Sequence, residues 1–235
     1  MDEKMREIFV IIYMLISTVS FSQDKVELLN KGNECFQEKD FKEAEEYYKK
    51  SLEEDNQYYK ANLNTGHSLF RQAISFTQKG MIDSARTKCS EAESYYINSE
   101  LLTENKNEKA ESLYNLGNAQ LLSQKLEKSI ESYKKSLRLV PENMNAKHNL
   151  ALAQYLLKKN QENQEDKKEQ ENKEEEKKKD QSQENKQEDE VEEKKEELSE
   201  EAIKDILNAL EREEQKVQEN LPKVKRNDKK LLKDW

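Results

Sequence analysis

Four glycines and two prolines in 235 residues leave little material for tight turns, and the chain has one tryptophan and two cysteines. Hairpins depend on Gly, Pro and Asn at special backbone angles, so a β-rich or α/β fold is not expected. The abundance of Glu, Lys, Leu, Gln and Ala favours helix through every unpunctuated stretch, which makes the expected fold class all-α. Only 33% of the residues are hydrophobic against 39% charged, so the core is modest. A formal net charge of −9 would repel a nucleic-acid duplex, whose phosphates need a basic surface, and no nucleic-acid partner is expected.

The constellations of catalysis are also missing. No nucleophile sits near a base, no glycine loop could cradle a phosphate, and no metal-ligand spacing occurs, so neither enzyme, cofactor nor metal is expected. Cys35 and Cys89 lack CxxC spacing and fall at apolar helical positions, where cysteine acts as a small hydrophobe, so a disulfide is not expected. His67 and His148 are too far apart in sequence for a local ligand pair.

What is present begins with a charged opening, MDEKMR, then an apolar run from Ile8 to Val19 and the small-x-small pattern Ser20-Phe21-Ser22. That reads as a signal peptide over 1–22, with an uncleaved inner-membrane anchor as the weaker alternative, because the run is shorter than the ~20 residues a spanning helix needs. The expected location is periplasmic or cell-envelope.

A repeat follows. Gly32 and Gly66 are 34 residues apart, as are Gly117 and Ala151, while Gly66 to Gly117 is 51, an excess of 17. Twelve residues after Gly32 comes Ala44, then Tyr48 and Ser51; twelve after Gly117 comes Ser129, then Tyr133, Ser136 and Pro141. Small residues recurring at this spacing mark places where paired helices approach closely. With KGNECF, NTGHSLF, NLGNAQL and NLALAQY, this pattern resembles the tetratricopeptide repeat. The resemblance implies an α-solenoid of about three helix pairs plus a closing helix, about seven helices in a right-handed stack over 23–158, sharing an apolar seam from about Val26 to Leu157. The units read as about 25–58, 59–109, 110–143 and a closing helix 144–158. In unit two, Gly66 to Ala85 spans 19 residues, so its first helix should be longer by about two turns, with a further insertion of 10 residues around INSELLTENKNEK. Cys89 then takes the aromatic slot and Ala92 the small one.

In that family the first helices line a concave groove that binds protein or peptide. Carried over position by position, the resemblance places Leu29, Asn33, Phe36, Leu63, Asn64, His67, Phe70, Tyr114, Asn115, Asn118, Leu121, Asn149 and Tyr155 in the groove. Asparagines there could bond a peptide backbone, or could bridge adjacent helices. Asn33 and Asn64 match two members of the family's carboxylate clamp, but Leu29, Glu111 and Asn115 stand where its cations belong. Capture of an acidic C-terminus is therefore not expected.

Past Lys158 the composition changes. Residues 158–197 hold 11 Lys and 17 acidic side chains with Val191 as the one strongly apolar residue, so 159–197 reads as a disordered Glu/Lys/Gln-rich linker. Glu174 and Lys178 could support transient helix. From 198 to 221 an amphipathic helix is expected, capped by Ser199 and carrying Ile203, Ile206, Leu207, Leu210 and Val217 on one face. The basic tail 222–235 ends in Trp235. This end reads as a docking peptide for a partner or a membrane surface, or as a helix folded back on the stack.

The order of these segments, with LNALEREEQKVQENL and the closing KDW, resembles the repeat proteins encoded in Bacteroides aerotolerance (Bat) operons. The resemblance implies an envelope scaffold working beside von Willebrand A-domain membrane proteins and a MoxR-type ATPase in oxygen tolerance. The alternative is a membrane-surface tether acting through the C-terminal helix and tail.

Overall fold

The computed structural model describes residues 24–179 and 199–220, with side chains described over 24–164 and 199–210. The expected signal segment, the linker past Lys179, the side chain of Val217 and the tail with Trp235 lie outside the described residues. Among the described residues the regular structure is helical: α1 (Lys25–Gln37), α2 (Phe41–Glu54), α3 (Tyr59–Gln78), α4 (Ile82–Leu101), α5 (Lys106–Leu122), α6 (Leu126–Leu139), α7 (Met144–Lys179) and α8 (Glu200–Asn220). No described helix is long and apolar enough to cross a membrane.

Short polar side chains start these helices by accepting first-turn amides that have no helical partner. Asp24 takes Val26 N, Asp40 takes Glu43 N, Asn105 takes Asn107 N and Ser199 takes Ala202 N, at 2.9 to 3.3 Å. Three hairpin turns end alike. Lys39, Gly80 and Gln124 each adopt a left-handed backbone (φ 64°, 73° and 64°), and the amide after each bonds a carbonyl five residues back. That geometry satisfies the last carbonyls of α1, α3 and α5 and folds the next helix back antiparallel.

Close approach inside each hairpin needs a glycine under a tyrosine ring. A Cβ on Gly32 would come within 2.4 Å of Tyr48, one on Gly66 within 2.7 Å of Tyr96 and one on Gly117 within 2.6 Å of Tyr133. A serine three residues on ties each outer hairpin at its open end: Ser51 Oγ donates to Lys25 O and Ser136 Oγ to Ala110 O, both at 2.7 Å.

This register corrects the expectation for unit two. Tyr96 occupies the aromatic slot and Ser99 the small one, not Cys89 and Ala92. Glycine to left-handed turn residue is 7 residues in the outer hairpins but 14 in unit two, and turn residue to tyrosine is 9 against 16. Both arms therefore grow by 7 residues, about two turns, and the other 3 of the 17 extra residues lie in the connection to α5. An antiparallel pair stays closed only if its arms lengthen together, which is why insertion in one arm alone fails. Ala85, Cys89 and Ala92 are all buried, and Cys89 and Ala92 share the main cluster with Ala73 and Ile74. Both cysteines are free; burial pushes the thiols of Cys35 and Cys89 up to about 11 and about 12.

Two further expectations change. The apolar seam is not continuous: Leu29, Ala44, Tyr48 and Ala61 form one cluster, and a larger one runs from Leu63 to Leu210. Polar side chains join units one and two, including Asn64 to Asn33 (3.0 Å) and Gln72 to the buried Glu45 (2.7 Å). Burial opposes the charge on Glu45, but hydrogen bonds from Lys49 and Gln72 outweigh it and hold the carboxyl below its ordinary range. The closing helix, expected to stop at Lys158, continues as α7 to Lys179, through the first half of the stretch read as a disordered linker. Glu, Lys and Gln are strong helix formers, no Gly or Pro interrupts them, and pairs such as Lys158 with Glu162 (3.5 Å) add support.

Candidate protein-binding groove

Curvature follows from how unlike helices pack. The first helices of successive units, α1, α3, α5 and α7, touch one another in turn, whereas α2, α4 and α6 pack chiefly on the first helices that flank them. The first helices therefore line the inner face, as expected of such a stack.

The side chains on that face divide into two groups. Asn33, His67 and Asn118 each follow the hairpin glycine and each meet the hairpin tyrosine: Tyr48 Oη donates to Asn33 Oδ1 (2.8 Å), Tyr133 Oη donates to Asn118 Oδ1 (2.7 Å), and His67 Nδ1 lies 3.1 Å from Tyr96 Oη. The next unit adds a donor to the same oxygen, Asn64 Nδ2 to Asn33 and Asn149 Nδ2 to Asn118, both at 3.0 Å, and Asn149 also reaches Tyr114 Oη at 3.3 Å. Four of the five asparagines assigned to ligand binding thus bridge neighbouring helices. Asn118 and Asn149 are buried, Asn149 to 1%, and are withdrawn from any ligand. Leu29, Leu63, Phe70, Tyr114 and Leu121 are buried as well and act as core rather than as open groove. Position-by-position transfer missed this because a residue can face the groove at its Cα while its tip packs into the next helix.

Phe36, Asn33, Asn64, His67 and Asn115 remain half-buried, and Tyr155 is 57% exposed. Phe36 stacks edge-on against Phe41 with centroids 5.1 Å apart, and Asn115 Nδ2 donates to Glu111 O of its own helix. His67 packs edge-on against Tyr96 with centroids 5.6 Å apart, and burial pushes its pKa down to about 4.

The C-terminal docking residues are placed otherwise than the docking-peptide reading had them. α8 folds back against α5 and α7, and Ala202, Ile206 and Leu210 join the main core. Ile203 and Leu207 pack at its edge. An apolar face engaged on its own array is not open to a membrane or to another protein, so the fold-back alternative holds for the described part of this helix.

Residues 28–58 and 110–143 match models of the tetratricopeptide repeat. No curated protein matches the chain. Among solved structures, the NMR structure of the first TPR domain of the human RPAP3 protein aligns with a TM-score of 0.50 at 23% identity, over 60% of this chain and 98% of that one. The first TPR of Spaghetti (RPAP3), bound to the HSP90 peptide SRMEEVD, aligns with a TM-score of 0.44 at 23% identity, over 58% and 94%. The likeness is one of fold. Residues 28–58 and 110–143 are tetratricopeptide repeats, and the helix pair between them, lengthened by two turns in each arm, continues the same array.

Proposed function

We propose that this chain is a non-enzymatic scaffold of the bacterial cell envelope that holds other proteins on the inner face of its repeat stack, as an adaptor in an aerotolerance-type assembly. One observation carries the scaffold reading: four first helices form a single inner face on which half-buried polar and aromatic side chains, from Phe36 to Tyr155, stay accessible. Aromatic anchors ringed by amides suit a polypeptide ligand, because the ring supplies buried area and the amides supply directional bonds. The envelope location rests on the N-terminal segment 1–22, and the partners, von Willebrand A-domain proteins and a MoxR-type ATPase, rest on the resemblance of the segment order and C-terminal sequence.

Full-length protein and a variant carrying Asn115→Glu and Tyr155→Ala serve as matched baits in affinity capture from envelope extracts. Enrichment of a von Willebrand A-domain protein or the ATPase by the first and not the second is the expected result; equal recovery, or recovery of neither, overturns the partner assignment. Mass spectrometry of the envelope-associated chain should find Gln23 at the N-terminus. Full-length protein confined to the cytoplasm would overturn the export reading.

A further inference from the structure

The two places where the chain departs from its own repeat meet each other. The tip of the lengthened hairpin and α8 border one crevice, while α8 itself packs chiefly on α5 and α7. Thr77, Ile82 and Ala85 of the extension, with Leu122 at the end of α5, line a crevice whose other wall is Ile203 and Ile206. Without the 7 added residues in each arm, that wall would not exist.

The contact is one-sided, as for a helix laid into a groove. α8 is buried along one stripe, Ala202, Ile206, Ala209 and Leu210, while Lys204, Asp205 and Asn208 face solvent. The crevice beside Ile206 leaves the seam incompletely filled. At its N-terminus Glu201, 79% exposed, meets Lys159, 39% exposed, at 3.9 Å, and solvent-screened pairs of this kind contribute little.

α8 stays covalently attached to α7 whether docked or displaced. From Lys159, beside Glu201, α7 runs 20 residues to Lys179, about 30 Å. The chain runs a further 20 residues, 180 to 199, before α8 begins. A tethered helix competes at an effective concentration near the millimolar range.

We propose that the surface formed by α5, α7 and the tip of the lengthened hairpin is a receptor for an amphipathic helix, closed in cis by α8 and opened when a partner helix displaces it. The partner helix would carry small and branched apolar residues at the i, i+4, i+7 and i+8 positions of Ala202, Ile206, Ala209 and Leu210, with an acidic first turn toward Lys159. This deepens the scaffold reading by naming the ligand class of one part of the inner face. Its test uses only the purified chain, so it stands or falls independently of any envelope partner.

The probe is a fluorescein-labelled synthetic peptide of residues 199–220, read by anisotropy against the full chain and against the full chain with Ile206→Asp and Leu210→Asp. Release of the cis helix should tighten peptide binding about tenfold or more, and a peptide with the same two substitutions should bind neither protein. Equal affinity for both proteins, or no binding to a variant that keeps its array helicity, overturns the proposal. If the variant does not fold, hydrogen exchange on the unmodified chain decides: α8 amides should exchange at least tenfold faster than those of α5 and α6. Exchange in step with α5 and α6 would make α8 a permanent core helix, and a dimer held by swapped α8 helices would overturn closure in cis.

Discussion

Tyr96 lies over Gly66 as Tyr48 lies over Gly32 and Tyr133 over Gly117, and a Cβ on Gly66 would stand 2.7 Å from the Tyr96 ring. This pair, not Gly66 with Cys89, sets the register of unit two. Gly66→Val should cost about 1–3 kcal/mol by overpacking, and Tyr96→Ala about 3–5 kcal/mol by opening a cavity. Cys89→Ala removes one sulfur from the main cluster and should cost less than either. Chemical denaturation of the three variants checks the order; equal losses for Cys89→Ala and Tyr96→Ala would restore the other register.

His67 occupies the slot that asparagine fills in the flanking hairpins, and burial pushes its pKa down from 6.5 to about 4. A depressed folded-state value means that the neutral ring is favoured by folding. Its contribution is complete above pH 6.5 and is lost as pH falls toward 4. His67→Asn supplies the acceptor that the flanking hairpins offer their tyrosines and cannot titrate. Thermal melts from pH 7 to pH 4 should therefore show a smaller loss for the variant than for the parent chain, over and above the carboxylate losses common to both. Parallel curves would mean that the ring is solvated.

The repeat was legible in the sequence where spacing and residue size act together. Glycine, small residue, tyrosine and serine recur at fixed offsets in units one and three because two helices cannot otherwise close on each other. Unit two hid its register because alanine, cysteine and alanine at positions 85, 89 and 92 repeat the 4–3 spacing of the helix face. Helical periodicity marks which residues are buried, but it is blind to a shift of two whole turns. The groove was less legible than the fold. Asparagine serves a peptide backbone and a neighbouring helix equally well, and only the positions of Tyr48, Tyr133 and the next asparagine decide between them. The C-terminal helix shows its apolar face in the sequence but not what covers it, because the covering helices α5 and α7 lie some eighty and twenty or more residues earlier and periodicity carries no information on long-range packing.

Asn118 Oδ1 accepts from both Tyr133 Oη and Asn149 Nδ2 in a buried setting. Asn118→Ala would strand both donors, and a buried donor left unpaired costs about 1–3 kcal/mol. Asn33→Ala strands the corresponding pair, Tyr48 and Asn64, but there Asn33 and Asn64 are half-buried and water can replace the lost acceptor. Urea unfolding should show a clearly larger loss for Asn118→Ala. Comparable losses would indicate that water reaches neither site, or both.

The three hairpin turns share a left-handed residue, yet only Gly80 carries it without a Cβ; Lys39 and Gln124 do so at φ 64°. A side chain in that region costs roughly 1–2 kcal/mol relative to glycine. Lys39 is exposed, so Lys39→Gly should relieve backbone strain without disturbing packing. A gain of about 1 kcal/mol corresponds to a rise of about 2–4 °C in Tm for a chain of this size. Gly80→Ala runs the experiment in reverse. No neighbouring atom lies within 4 Å of its added Cβ, so any loss of stability reports the backbone alone. Opposite shifts of similar size in the two variants are the expected result. A neutral Gly80→Ala would mean that the tip of the lengthened hairpin does not hold this turn in solution.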